Sequence, residues 1–308
     1  MNRDRLTRWL YPLLGFCLLA FSLCVLNREL ARYNLQDIID SLARISDRQL
    51  IAALGFTFLS CLAISSYDLI AFRCFRYCLD LKRILFTTFI TYAVSNTTGF
   101  TLLIGGGIRY RFYSLWGVPV KGIAKITALG NLTFWLGLLT LTGITFLFNP
   151  VQLPNPLNLE LFLIRGLGIF FILTVGVYLT CCYQRKKIRI KNKVFSFPKL
   201  MVSLWQIIIF ALDWSLAAAV LYCLLPYYPD RSYLNFFNIY LIAMAGSILS
   251  NIPGGLGVFE TIIIFLLPNS MATPDILGSL LVYRATRFLF PLAIALFFIG
   301  GFELRRRF

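Results

Sequence analysis

The sequence predicts an all-α, polytopic integral membrane protein of two inverted repeats, each with three spanning helices and one re-entrant helical hairpin, eight hydrophobic segments in all. Three observations carry that expectation: the composition, the lengths of the apolar runs, and two glycine-rich interruptions built alike. The 308 residues are 59% hydrophobic and 14% charged, with a mean hydropathy of +0.78. A water-soluble domain of that composition would lack the polar residues to cover its own surface.

A hydrocarbon core about 30 Å thick needs roughly 20 apolar residues per helix. Six runs approach or exceed that length: residues 9–26, 50–72, 126–148, 162–182, 200–225 and 276–301. The first is followed by Asn27-Arg28-Glu29 without a small-residue cleavage site, so it reads as a retained helix rather than a secretory signal.

Basic residues orient the remainder, because Lys and Arg accumulate in cytoplasmic loops. The densest run, RKKIRIKNK at 185–193, lies between two spans and is expected inside, as a topology signal or as a contact for anionic lipid. The loop 149–160, free of Lys and Arg, is then external. Residues 84–108 are flanked by Arg73, Arg76, Lys82 and Arg83 on one side and by Arg109, Arg111, Lys121 and Lys125 on the other. That stretch must enter and leave by one face. Residues 84–94 would form a helix of about 16 Å, half a bilayer, with Ser95-Asn96-Thr97-Thr98-Gly99 as the turn.

Arg305, Arg306 and Arg307 place the C-terminus inside, and the N-terminus falls inside as well. Residues 233–268 must then start and end outside, as arms 233–249 and 256–267 joined at Ser250-Asn251-Ile252-Pro253-Gly254-Gly255. Each hairpin opens on Ser-Asn, and the helix before each carries one acid, Asp68 or Asp213. This pattern reads as a duplication within one domain, 1–308, with repeats of about 1–148 and 161–308. Broken helices in inverted repeats are a transporter architecture, since unwound backbone is tolerated at membrane depth only where protein or water shields it. Residues 27–49 hold Arg28, Arg32, Arg44 and Arg48 on the expected outer side. Their apolar residues fall at helical spacing, as in an amphipathic interfacial helix.

Function narrows by exclusion. Histidine is absent, which removes His-based acid–base catalysis, Ser-His nucleophiles and histidine metal sites. There is no phosphate-binding or dinucleotide glycine motif, and the eight cysteines show no paired spacing for disulfides or zinc. No cofactor or metal is expected. The net charge of +16 fits membrane phospholipids as partners rather than nucleic acid.

Charges at membrane depth are costly and face a cavity or a partner. Glu260, just past Pro-Gly-Gly, is a candidate for holding a proton or a cationic headgroup, with Arg284 and Arg287 as counter-charges; the alternative is a Glu–Arg pair that only fixes the hairpin. Arg109 and Arg111 follow Gly105-Gly106-Gly107, where bare backbone and guanidinium could grip a phosphate, or where they merely anchor a helix. Asp213 lies deep, while Asp68 is expected to pair with Arg73 or Arg76. Asn96 and Asn251, with Gly254 and Gly255, either line the site or cap and turn the hairpins.

Asn96 with Gly99, the run Gly106-Gly107-Ile108-Arg109-Tyr110-Arg111, Tyr113, Gly117, PGGLGVFE ending at Glu260, Tyr283-Arg284 and Pro291 together resemble the membrane flippase domain of bacterial lysylphosphatidylglycerol synthetases, the multiple peptide resistance factor, and its stand-alone relatives. The resemblance covers nearly the whole chain. It implies a bacterial inner-membrane protein that moves an aminoacylated or related lipid between leaflets. The soluble aminoacyl-transferase domain of that family is missing from this sequence, so no lysyl-lipid synthesis is expected. The alternatives are a membrane subunit that positions a separate lipid-modifying or glycosyl-transferring enzyme, and an integral-membrane transferase, for which only Glu260, Asp68 and Asp213 are on hand.

Overall fold

A computed structural model describes residues 35–98, 101–150, 161–185, 187–190, 193–227, 232–250, 253–267 and 271–305. The expected span at 9–26, Asn251, Gly99, most of the 149–160 loop, Arg306 and Arg307 lie outside the described residues. Numbered from the first described element, the helices are α1 (Leu35–Ala43), α2 (Asp47–Phe75), α3 (Leu81–Thr98), α4 (Thr101–Leu115), α5 (Val120–Phe148) and α6 (Leu161–Tyr183). After them come α7 (Leu200–Leu224), α8 (Tyr233–Ser250), α9 (Val258–Leu266), α10 (Thr273–Arg284) and α11 (Phe290–Arg305), with a π-helical turn at Ala285–Leu289 joining the last two. A two-stranded antiparallel ribbon, β1 (Lys187–Ile190) and β2 (Lys193–Ser196), occupies the basic loop.

The protein is a helical membrane protein. Among the described residues, six helical stretches are long and apolar enough to cross a bilayer: α2, α5, α6, α7, α8 and the continuous run Thr273–Arg305. Local chemistry sets their ends. Gln49 N–H donates to Ser46 Oγ and Ser46 N–H donates back to Gln49 Oε1, a reciprocal cap that starts α2. Pro119 precedes α5 and Pro274 sits in the first turn of α10. In the centre α2 packs along α7, and α5 lies against both. Gly137 of α5 makes its crossing with α7 possible, because a Cβ there would fall 2.1 Å from the ring of Phe210. Phe210, Trp214, Phe236, Tyr240 and Tyr283 fill the largest core.

The two arms expected at 233–249 and 256–267 are present as α8 and α9, side by side with a short turn at Pro253–Gly255 between them. The first departs from expectation. Its leading arm is the 18-residue α3, about 27 Å long, and Ser95, Asn96, Thr97 and Thr98 lie inside it rather than in a turn. The reason is that hydroxyls can be satisfied within the helix. Thr88 donates to the Ile84 carbonyl at 2.7 Å and Thr97 to that of Ala93 at 3.0 Å, so these polar residues continue the helix. Gly105, Gly106 and Gly107 likewise sit inside α4, without breaking it. At Gly105 a Cβ would come within 3.0 Å of Ser95 Oγ, so this position lets α4 close onto α3. Residues 35–43 are helical as the spacing predicts, yet they pack on α10.

Candidate functional site

The α3 helix carries Thr87, Thr91 and Ser95 on one stripe and Thr88, Tyr92 and Asn96 on the next, each at four-residue spacing. All but Tyr92 and Asn96 are fully buried. A polar stripe of this kind needs protein on every side at membrane depth, and α2, α4 and α11 supply it. The ends of the two hairpins also meet: a Cβ on Gly254 would lie 3.1 Å from the Thr97 carbonyl oxygen. Gly254 and Gly255, at φ +62° and +61°, form the turn that makes this approach possible.

Buried ion pairs surround that meeting point. Asp68 of α2 accepts the Arg109 Nε–H, shared between its two oxygens (2.8 and 3.1 Å), an N–H from Nη2 (2.8 Å) and the Tyr113 hydroxyl (2.7 Å). Arg109 and Tyr113 are four apart on α4 and so share a face. The Tyr92 ring lies 5.2 Å from the Arg109 guanidinium and packs edge-on against Tyr67. Tyr67 in turn donates to Asp213 Oδ2 at 3.4 Å, and Ser60 donates to Asp213 Oδ1 at 2.5 Å. Arg287 Nη2 stands 3.5 Å from the same Oδ1. Asp68, Arg109, Asp213 and Arg287 are all buried.

The third pair closes the second hairpin. Glu260, in the first turn of α9, accepts the Gly257 N–H at 2.9 Å and Arg284 Nε at 2.5 Å. Arg284 also donates to the Gly254 carbonyl at 2.8 Å and to that of Gly255 at 3.5 Å. Arg284 and Arg287 therefore serve different acids. The π-helical turn beginning at Ala285 redirects Arg287 toward Asp213. Arg287, Asn96, Tyr92, Cys61, Phe89 and Pro291 border a cavity of about 10 Å³, room for roughly one water.

Of the residues expected at a site, Asn96, Arg109, Asp213, Gly254, Gly255, Glu260, Arg284 and Arg287 gather around these contacts. Arg111 is elsewhere, paired with Glu303 of α11. A Cβ at Gly106 would meet Thr127 at an ordinary 3.7 Å and one at Gly107 would meet open space, so neither glycine is required by a close approach. Two expectations need correction. Asp68 pairs with Arg109, not with Arg73 or Arg76, since the partner comes from another helix. And Arg109 does not present a free fork to a phosphate: Asp68 occupies its Nε–Nη2 edge and burial closes it off. Ser60, Tyr67, Tyr92 and Tyr113 were missed. Tyr67 beside Asp68 and Tyr113 one turn after Arg109 were the available signals.

Buried charge between the helices of a multi-pass membrane protein is the class that fold and site define. The chain belongs to the family described as the lysylphosphatidylglycerol synthase TM region, which matches residues 10–295. It is 39% identical over 293 residues to the uncharacterized protein slr0712 of Synechocystis, covering 94% of this chain and 91% of that one. It is 32% identical over 251 residues to the inner membrane protein YbhN of Escherichia coli, 80% and 78% of the two chains. To phosphatidylglycerol lysyltransferase of Staphylococcus aureus it is 25% identical over 291 residues, 93% of this chain but 33% of that protein.

Proposed function

We propose that this protein is a non-enzymatic lipid translocator of the bacterial inner membrane, moving a phospholipid or an aminoacylated or lipid-linked amphiphile between leaflets. The observation that carries the reading is the Asp213–Arg287 pair, whose arginine borders a small cavity between α2, α3 and the turn that leads into α11. A charged pair held there costs desolvation that packed apolar residues would avoid, so a use in transport accounts for it better than stability does. In this mechanism the two repeats, about 1–148 and 161–308, rock against each other around the hairpins, with both termini cytoplasmic. Opening widens the cavity beyond its one-water size. Arg287 then exchanges Asp213 for the lipid phosphate, Asp213 takes the proton or cationic group, and Asn96 offers its amide. Asp68–Arg109 and Glu260–Arg284 hold the flanking elements in place.

Purified protein in liposomes with labelled phosphatidylglycerol tests this. Leaflet exchange is expected with the native chain and is expected to fall at least tenfold with Arg287→Gln. Exchange equal in the two would remove the mechanism.

The relation to phosphatidylglycerol lysyltransferase, of which the matching region is a third, favours a second reading. In it this chain is a membrane subunit that positions a lipid-modifying enzyme. Copurification with such an enzyme, together with no exchange by the pure protein, selects that reading.

A further inference from the structure

Away from the buried pairs, the end of α2, the start of α3 and the end of α4 border a second, larger and open cleft. It has a volume of about 530 Å³, and Leu69, Phe72, Arg73, Tyr77, Arg83 and Trp116 are among its lining residues. We propose that this cleft binds the phosphate group of an anionic amphiphile, with Arg73 and Arg83 as the anion-binding residues. The inference does not depend on lipid crossing the membrane, and no residue of the buried pairs takes part.

The arginines are placed for it. Both are solvent-exposed at the cleft, and the Arg73 guanidinium has no ion pair among the described residues. Asp80 is the single acid on the lining, 3.3 Å from Arg83 Nε, with side chains 73% and 48% exposed. An exposed pair of that kind holds weakly, so a phosphate can displace it. Guanidinium matches phosphate through two parallel N–H bonds, a geometry and strength that a surface lysine does not supply.

The walls are built as well as charged. The Tyr77 ring fits against α5 only because residue 122 is glycine: a Cβ there would lie 2.7 Å from the ring. The Arg83 guanidinium sits 5.6 Å from the centre of the Trp116 ring, which fixes both. Phe72 and Ile84, each 2% exposed, form an apolar base. Arginine at the mouth, tyrosine and tryptophan along the wall and apolar residues beneath reproduce the order of phosphate, glycerol and acyl chain at a membrane interface. A topology signal alone requires only the charges, and neither the cavity nor the ring seated on Gly122.

The test uses native mass spectrometry of the full chain in detergent, with phosphatidylglycerol as the lipid probe and glycerol 3-phosphate as the soluble one. Arg73→Gln/Arg83→Gln should reduce retained phosphatidylglycerol roughly tenfold or more. Lys187→Gln/Arg189→Gln, which removes the same charge from the ribbon, should reduce it by less than about twofold, the loss of a surface contact without a cleft. Arg73→Lys/Arg83→Lys keeps the charge and should bind a few-fold more weakly than the native chain, and it serves if the glutamine pair fails to fold. Retention that excess glycerol 3-phosphate cannot displace assigns a lipid, and displacement assigns a soluble phosphate ester. Equal retention by the native chain and both cleft variants, or equal loss from the cleft and ribbon glutamine variants, overturns the site.

Discussion

Asp68–Arg109 and Asp213–Arg287 are both acid–guanidinium pairs between helices of the same bundle, but they are held differently. Asp68 has both oxygens engaged by Arg109 at 2.8–3.1 Å and takes the Tyr113 hydroxyl at 2.7 Å as well. Asp213 meets Arg287 at a single 3.5 Å contact and depends on Ser60 and Tyr67 for the rest of its coordination. Arg287 borders the small cavity next to Asn96, and Arg109 is not among the residues that line it. Depth in the membrane therefore does not distinguish a strut from a working group. The number and direction of the bonds already made do. A carboxylate with both oxygens taken by short bonds has little left to offer a ligand, whereas on the proposed function a pair with one long contact beside a cavity exchanges partners.

The largest effect expected from breaking this comparison is on Asp68. Asp68→Asn leaves the Arg109 charge buried without its counter-ion and should cost about 3–5 kcal/mol, read as a lower denaturation midpoint in detergent. Asp68→Asn/Arg109→Gln should recover part of that loss. Asp213→Asn should cost less, about 1–3 kcal/mol, because the Arg287 contact it weakens is a single long one, Ser60 can still donate to the amide oxygen and the Tyr67 hydroxyl can accept from the amide NH2, while lipid exchange falls away. If the two single variants lose equal stability, the contrast between strut and working pair fails.

Next in size is Gly254→Ala. The new methyl would have to accept φ +62° and a 3.1 Å approach to the Thr97 carbonyl. A residue forced into the left-handed region costs about 1–2 kcal/mol, so the turn should shift away from α3. A circular-dichroism melt gives the cost, and disulfide trapping between Thr97→Cys and Gly254→Cys reports whether the hairpin ends still meet. A melt unchanged within error would show that the Gly254 turn is not held at that spacing.

Much of this was legible in the sequence, and the rest was hidden for physical reasons. The apolar runs at 126–148, 162–182 and 200–225 predicted α5, α6 and α7 closely, because hydrophobic length is a one-dimensional property. The turn at Gly254 and Gly255 was legible too, since a proline precedes these glycines, whereas Gly105–Gly107 without one continue a helix. The first hairpin was misread because Ser95 to Thr98 look like a turn on paper. In the fold, a helix can absorb such hydroxyls by bonding its own carbonyls. Glu260–Arg284 was visible as a possible pair. Asp68–Arg109 was not, because which helix faces which is a tertiary property, and a nearby Arg73 is the natural choice on sequence distance alone. Nor does spacing reveal that a π-helical turn parts Arg287 from Arg284.

The smallest effect sharpens the comparison by removing burial from it. Arg44 Nη1 lies 2.9 Å from Asp275 Oδ1, as close as the contacts of Asp68 with Arg109, but its side chain is 68% exposed. The guanidinium keeps most of its water and the Asp275 side chain is still 23% exposed, so no sealed charge is stranded when Arg44 is removed. Arg44→Ala should therefore change stability by about 0–1 kcal/mol, and that small change should shrink further as salt is raised. Asp68→Asn should keep nearly its whole cost at the same salt concentrations, because a pair sealed between helices is poorly screened. Parallel denaturation series for the two variants at low and high salt measure this directly. A salt-insensitive loss of several kcal/mol at Arg44 would mean that contact distance, not burial, sets the energies of these pairs.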